Sequence, residues 1–165
     1  MTGRPLAVRL RRTTTSDADL LLGWANDPAT RAASFHPDSI DRAGHVRWLA
    51  SCLAAPTTGF WIGESDGRPI GQVRVELGAD TVGDDTVGEI SISIAPDARG
   101  MGLGRALLLA AIDEAGRTLP VDRLLARVRL DNPASLALFA GAGFIELGRG
   151  MCFGVPCAEL EHRLG

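Results

Sequence analysis

Between residues 89 and 130 the hydrophobic period changes twice, and that change leaves few architectures open. Glu89-Ile90-Ser91-Ile92-Ser93-Ile94 alternates polar and apolar residues strictly, as a half-covered strand does, and Pro96 ends it. Glu89, Ser91 and Ser93 therefore share one face. From Leu103 the pattern turns helical, with Arg105, Asp113, Glu114 and Arg117 on roughly half of the helical wheel and leucines and alanines filling the rest. Leu124 to Leu130 then reads as a second strand. A strand, helix, strand unit joins parallel neighbours through a right-handed crossover, so the sheet contains a parallel pair.

The remaining elements follow from the same rules. Leu6 to Arg12 reads as a half-exposed first strand, and Ser16 to Asp19 has capping-box spacing ahead of a helix with Leu20, Leu21 and Trp24 as its apolar stripe. Asn26-Asp27-Pro28 stops that helix. A second helix after Ser39 turns Ile40, Ala43, Val46, Leu49 and Leu53 inward and closes at Pro56. Phe60 to Glu64 and Ile70 to Leu77 flank Asp66-Gly67, a hairpin signal, and the polar stretch Gly78 to Gly88 connects to the alternating strand. Asn132 caps a further helix with Pro133 at its first position; Gly141 to Gly143 end it before strands at about Phe144 to Arg149 and Ala158 to Arg163. At roughly 150 residues per domain, a chain of 165 residues is expected to be one domain, 1–165.

Composition removes several kinds of chemistry. All 17 basic residues are arginine, so P-loop, pyridoxal Schiff-base and kinase phosphate-lysine chemistries lack their side chain. A net charge of -3 repels phosphate backbones and argues against general nucleic-acid binding. No run approaches the ~18 apolar residues of a membrane span and the start has no signal-peptide pattern, so a cytoplasmic protein without a membrane partner is expected. Cys52, Cys152 and Cys157 form no C-x-x-C pair, which argues for three reduced thiols and against a zinc site. No G-x-S-x-G elbow supports a serine hydrolase.

Arg99-Gly100-Met101-Gly102-Leu103-Gly104-Arg105 lies between a strand and a long helix, where glycines let backbone N–H groups approach an anion and the helix dipole adds to them. A G-x-G-x-x-G dinucleotide fingerprint would need glycine at Arg105 or Leu107, so the spacing disfavours NAD. The run Ile94 to Gly104, with Arg99, Gly102 and Gly104 in its pattern, resembles the acetyl-CoA signature of the GNAT N-acetyltransferases. Asn132-Pro133-Ala134-Ser135-Leu136-Ala137-Leu138-Phe139, followed by Gly143-Phe144, resembles the same family's second signature.

The resemblance implies an α/β (α+β) fold: a mixed, mostly antiparallel seven-stranded sheet with a splayed parallel pair, flanked by about four helices. It implies acetyl-CoA as donor, with no metal, and the pantetheine arm held by backbone groups around Ile92, Ser93 and Ile94. The pyrophosphate would rest on the amides of Arg99, Gly100, Met101, Gly102, Leu103, Gly104 and Arg105, with Asn132 and Phe139 also at the coenzyme. An amide of the strand would stabilise the oxyanion of the thioester carbonyl. The family often has tyrosine, a proton donor for the departing thiolate, where Phe139 stands; water or Ser135 is left for that role.

An acceptor amine must be neutral to attack, and an α-amino or amino-sugar nitrogen with pKa near about 8 needs less help than a lysine amine near about 10.4. Glu89 is the first candidate base and His45 the second. Trp24-Ala25-Asn26-Asp27-Pro28 with Arg31, then Ile40, His45 and Trp48, resembles the amino-sugar N-acetyltransferases of pseudaminic acid biosynthesis, which implies Trp24, Asn26, Arg31 and His45 as substrate ligands. The expected function is acetyl transfer to a primary amine of a small molecule, an amino sugar before others. N-terminal, ribosomal-protein or antibiotic amine acetylation and a catalytically silent acyl-CoA-binding module stay open. Sheet-edge homodimers are common among the proteins resembled, and no residue here specifies one.

Overall fold

The computed structural model describes residues 7–165, with the backbone alone at 79–82. In chain order the elements are β1 (Arg9–Arg12), α1 (Ala18–Ala25), α2 (Pro28–Ala33), α3 (Arg42–Ala54), β2 (Thr58–Ser65), β3 (Arg68–Val82), β4 (Asp85–Ile94), α4 (Leu103–Thr118), β5 (Arg123–Arg129), α5 (Pro133–Gly141), β6 (Ile145–Cys152) and β7 (Val155–Arg163). The strands form one seven-stranded sheet in the order β1-β2-β3-β4-β5-β7-β6. Every pair is antiparallel except β4 with β5, the pair that the change of period required.

Strand alternation sends two sets of apolar residues to opposite faces. Trp61, Val73, Val75 and Ile90 pack with Leu107, Leu108, Ala111 and Ala115 of α4. Phe60 and Ile62 pack on the other face with Leu21 of α1 and Leu49 and Cys52 of α3. α4 lies tight on its face because the sheet is hollow there. A Cβ at Gly71 would stand 2.5 Å from the Ser93 carbonyl oxygen and 2.9 Å from Leu107, so only glycine admits the Leu107 side chain.

Several sequence expectations are corrected. Asn26-Asp27-Pro28 ends α1 but also starts α2: the Asp27 carboxylate accepts the Thr30 N–H at 3.2 Å and Pro28 occupies the first turn, which brings the helices to five. In α3, Ala43 and Val46 face outward, and His45, Leu49 and Cys52 form the buried row. A histidine on the inner face displaced the apolar stripe by one position. Gly78 to Gly88 is largely ribbon, with Leu77 opposite Gly88 and Thr81 opposite Thr86 about a turn at Gly83-Asp84. Its polarity concealed pairing that is made by backbone groups. Cys152 and Cys157 are bonded to each other across the β6–β7 hairpin, because the two-residue turn at Phe153-Gly154 folds the strands back on themselves. Cys52 is a free, buried thiol. The expected start of the first strand at Leu6 lies outside the described residues. Among the described residues no helix is long and apolar enough to cross a membrane.

The cap before α1 sits two residues earlier than its expected place. Asp17 accepts from the Thr14 N–H at 2.8 Å and from Nη1 and Nη2 of Arg11 at 2.9 Å each. The Arg11 hydrogen bonds hold the Asp17 pKa below its ordinary 3.8 against the opposing effect of burial, and the Thr14 bond adds to them. A pKa lowered by folding stabilises the protein above the ordinary carboxylate range, and that stability is lost as pH falls through the folded value. Asp17→Asn should therefore lower stability at neutral pH by about 2 kcal/mol. Denaturant titrations near pH 7 and near pH 3 check this: the gap from wild type should shrink at the lower pH, and an equal gap at both would contradict it.

Candidate active site

The parallel pair is short. Val87 pairs with Arg123, Gly88 with Leu124 and Glu89 with Leu125, and there the register stops, although β4 continues to Ile94 and β5 to Arg129. Each strand is held away from the other by its antiparallel neighbour: β3 follows β4 to the Gly71–Ile94 pair, and β7 follows β5 to the Arg129–Cys157 pair. A cavity of about 670 Å³ occupies the opening. Residues 89–94 of β4 form one wall, Val128 and Arg129 of β5 with α5 form another, and α1, α2 and α3 cover it.

At the end of β4 the chain turns into α4 through the glycine-bearing loop. Gly100 and Gly102 have φ of 75° and 74°, a conformation that favours glycine, and Gly102 is the N-cap of α4. A Cβ at either position would meet nothing within 4 Å, so these glycines serve the direction of the backbone and not packing. The amides of Gly102 to Arg105 precede the first rung of the helix, and no other protein acceptor takes them among the described residues. Four donors and the positive end of a 16-residue helix therefore stand just beyond Arg99, which lines the cavity, although residues 100–105 do not line it themselves.

Of the expected coenzyme residues, Ile92, Ser93, Ile94, Arg99, Asn132 and Phe139 line the cavity. Gly100, Met101, Gly102, Leu103, Gly104 and Arg105 are not among its lining residues: Met101 and Arg105 are exposed, and the Leu103 side chain is buried in the core. Asn132 accepts the Ser135 N–H at 3.2 Å through its Oδ1, so its Nδ2 is the end available to a ligand. Phe139 packs edge-on against Phe144 at 5.0 Å, and Ser135, one turn earlier on α5, lines the same cavity. The Arg99 guanidinium donates to Asp27 at 2.9 Å and to Thr30 at 2.8 Å, which ties the loop to α2 and holds the Asp27 carboxyl below the usual carboxylate range.

Of the other expected site residues, Glu89 stands where the strands part, with Arg127 of β5 at 2.6 Å. Trp24 lines the cavity and packs on both cores, so it is structural and accessible together. His45 lines it too; burial pushes its pKa down, and its Nε2 has no hydrogen-bond partner. Arg31 reaches the cavity while donating to the carbonyls of Ala25 at 2.6 Å and His36 at 2.7 Å. Asn26 is corrected: its amide is committed to both backbone groups of Ile40, at 2.9 and 2.8 Å, and it does not line the cavity.

Sequence reasoning missed Gln72 and Arg74, which sit opposite Ser93 and Ser91 in the β3–β4 register and complete a polar floor. Arg74 lies over the Trp48 ring at 4.9 Å, and Gln72 donates to Ser93 at 3.0 Å while its Oε1 has no partner. The signal was available in the hairpin, because the position opposite each polar β4 residue shares its face. Arg127 and Arg129 also went unassigned. No cysteine lines the cavity, and no group of acidic, histidine or cysteine side chains among the described residues is arranged to hold a metal.

Known proteins give the same outline. The structure of the aminoglycoside acetyltransferase AAC(6')-Ib with ribostamycin and coenzyme A superposes with a TM-score of 0.82 at 21% identity, covering 95% of this chain and 93% of that one. Spermidine N-acetyltransferase from Vibrio cholerae, bound to CoA and spermine, gives 0.81 at 19% identity with coverage of 94% and 95%. Ribosomal-protein-alanine N-acetyltransferase from Brucella melitensis gives 0.79 at 28% identity with coverage of 94% and 99%. No curated protein matches the chain by sequence. Residues 7–145 match the acetyltransferase (GNAT) domain, and a match over that share of the sequence, on this sheet with its one parted parallel pair, places the chain in the GNAT acetyltransferase family.

Proposed function

We propose that this protein transfers the acetyl group of acetyl-CoA to a primary amine of a small molecule, an amino sugar before others, by direct attack in a ternary complex. The observation that carries the reading is the opening between β4 and β5, with the amides of Gly102 to Arg105 at the start of α4, a short turn beyond the end of β4. Those amides suit a diphosphate, since they need no side-chain movement and lie on the helix axis. The unpaired edge of β4 at Ile92 to Ile94 suits the amide-bearing pantetheine arm. Bound there, acetyl-CoA supplies an activated acyl carbon with a thiolate leaving group.

The residues of the chain divide the remaining work. A β4 amide polarises the thioester carbonyl as charge builds on its oxygen. Glu89 takes the proton released as the amine nitrogen forms its bond to the acyl carbon and the carbon–sulfur bond breaks. The Ser135 hydroxyl, on the face of α5 it shares with Phe139, stands in for the proton donor that phenylalanine cannot provide. Direct attack is favoured because Cys52 is buried, its thiol pKa pushed up by desolvation, and Cys152 and Cys157 are bonded, which leaves no thiolate for an acyl-enzyme.

For the acceptor, Trp24 and Trp48 offer aromatic faces at the cavity and Gln72, Ser91 and His45 offer uncharged polar atoms, a mixture suited to a hydroxylated ring. Acetyl-CoA with a panel of sugars, amino acids, polyamines and peptides, followed by free thiol release, tests the reading. Turnover on an amino sugar supports it, and tight CoA binding without transfer to any amine would favour a silent acyl-CoA binder.

Two substitutions sharpen the assignment. Gly102→Asp places a negative charge in the donor cradle and should weaken CoA binding by more than about tenfold in calorimetry, while Gly102→Asn, tolerated at positive φ and uncharged, should weaken it much less. Equal losses would mean that backbone strain and not charge decides. Glu89→Gln should lower kcat about 10²-fold at unchanged CoA affinity. A kcat within a factor of about two of wild type would remove Glu89 from the proton path.

A further inference from the structure

The charges around the cavity are matched with one exception. Five arginines and a single carboxylate, Glu89, line it. Four of the arginines have acidic partners: Arg74 with Glu76 at 3.0 Å, Arg99 with Asp27 at 2.9 Å, Arg127 with Glu89 at 2.6 Å and Arg129 with Asp131 at 2.7 Å. Among the described residues Arg31 has only carbonyls. Its Nε donates to Ala25 at 2.6 Å, and its Nη1 to His36 at 2.7 Å and Asp38 at 3.4 Å, while its Nη2 enters none of these bonds. The guanidinium is thus fixed in place, half-buried, with one nitrogen and one full positive charge unmatched.

We propose that Arg31 is a specificity residue that reads a single anionic group, a carboxylate or a phosphate, on the acceptor, and that polycationic amines are poor substrates. The inference rests on the acetyl-transfer reading and deepens it. The one carboxylate among the described residues that line the cavity, Glu89, already has Arg127, so a polyamine would have to break that ion pair to find counter-charge there. An anion breaks none. Arg31 is rigid before the ligand arrives, so little side-chain entropy is lost on binding, and its planar fork suits both kinds of oxyanion. Burial disfavours a positive charge on His45, so the histidine competes little with Arg31.

Matched acceptors test this without identifying the natural one: glucosamine against glucosamine 6-phosphate, alanyl-alaninamide against alanyl-alanine, and spermine. The anionic member of at least one pair should show a kcat/KM about tenfold or more above its neutral partner. The pair with the larger ratio names the anion. Arg31→Gln should bring that ratio close to one, and Arg31→Lys, which keeps the charge but loses the tethered fork, should leave an intermediate ratio. Because Arg31 also ties down the chain around His36, CoA affinity and Tm are compared for each variant, and the wild-type ratios stand without any variant. Ratios near one in both pairs, spermine as the better substrate, or a ratio that survives Arg31→Gln would overturn the proposal. Calorimetry of the same amines on CoA-saturated protein separates the two readings: discrimination in binding without transfer rejects acetyl transfer alone, whereas transfer without discrimination rejects the role of Arg31 alone.

Discussion

The site depends on two parallel strands that stop pairing. β4 and β5 share three residue pairs and then diverge, each bound along its far side by an antiparallel neighbour that does not bend with the other. Backbone groups left without a partner inside a protein are costly, so an unpaired stretch of strand next to a cavity is an invitation to a ligand that carries amides of its own. Two further features follow from the same divergence. Glu89 stands at the point of separation, and β4 delivers the chain to the glycine-bearing turn that starts α4.

The cover over the cavity is a polar construction. α1 and α3 hold to the sheet through a small apolar cluster, but α2 and the chain after it are tied by hydrogen bonds: Asn26 to Ile40, Arg31 to Ala25 and His36, Arg129 to the Ser34 carbonyl at 2.8 Å, and Arg99 to Asp27. Arg99 therefore joins the glycine-bearing loop to the start of α2 by one ion pair. The abundance of arginine, which a composition reading treats as a surface matter, here does much of the positioning, because a planar fork can hold a carbonyl and a carboxylate at once.

The central features were legible because they are periodic or conformationally exacting. Alternation at Glu89 to Ile94, the helical run from Leu103 and the Asp66-Gly67 turn each have one physical reading, and Gly100 and Gly102 indeed adopt the positive φ that justifies them. What was hidden depended on partners distant in sequence. Nothing local shows that Asn26 will meet Ile40, that His45 will face inward where Val46 fits a regular stripe, or that Cys152 and Cys157 will meet across a hairpin. Gln72 and Arg74 became floor residues only through the β3–β4 register, and α2 escaped notice because Asp27-Pro28 is both a stop and a start.

A crystal structure of the protein with bound coenzyme A tests the central claim most directly. The account requires the diphosphate oxygens within hydrogen-bond distance, about 2.7–3.2 Å, of backbone nitrogens among Gly102 to Arg105, and the pantetheine arm against the free edge of β4. A ligand seated elsewhere, with those nitrogens facing solvent or other protein atoms and β4 paired to β5 along its length, would contradict it.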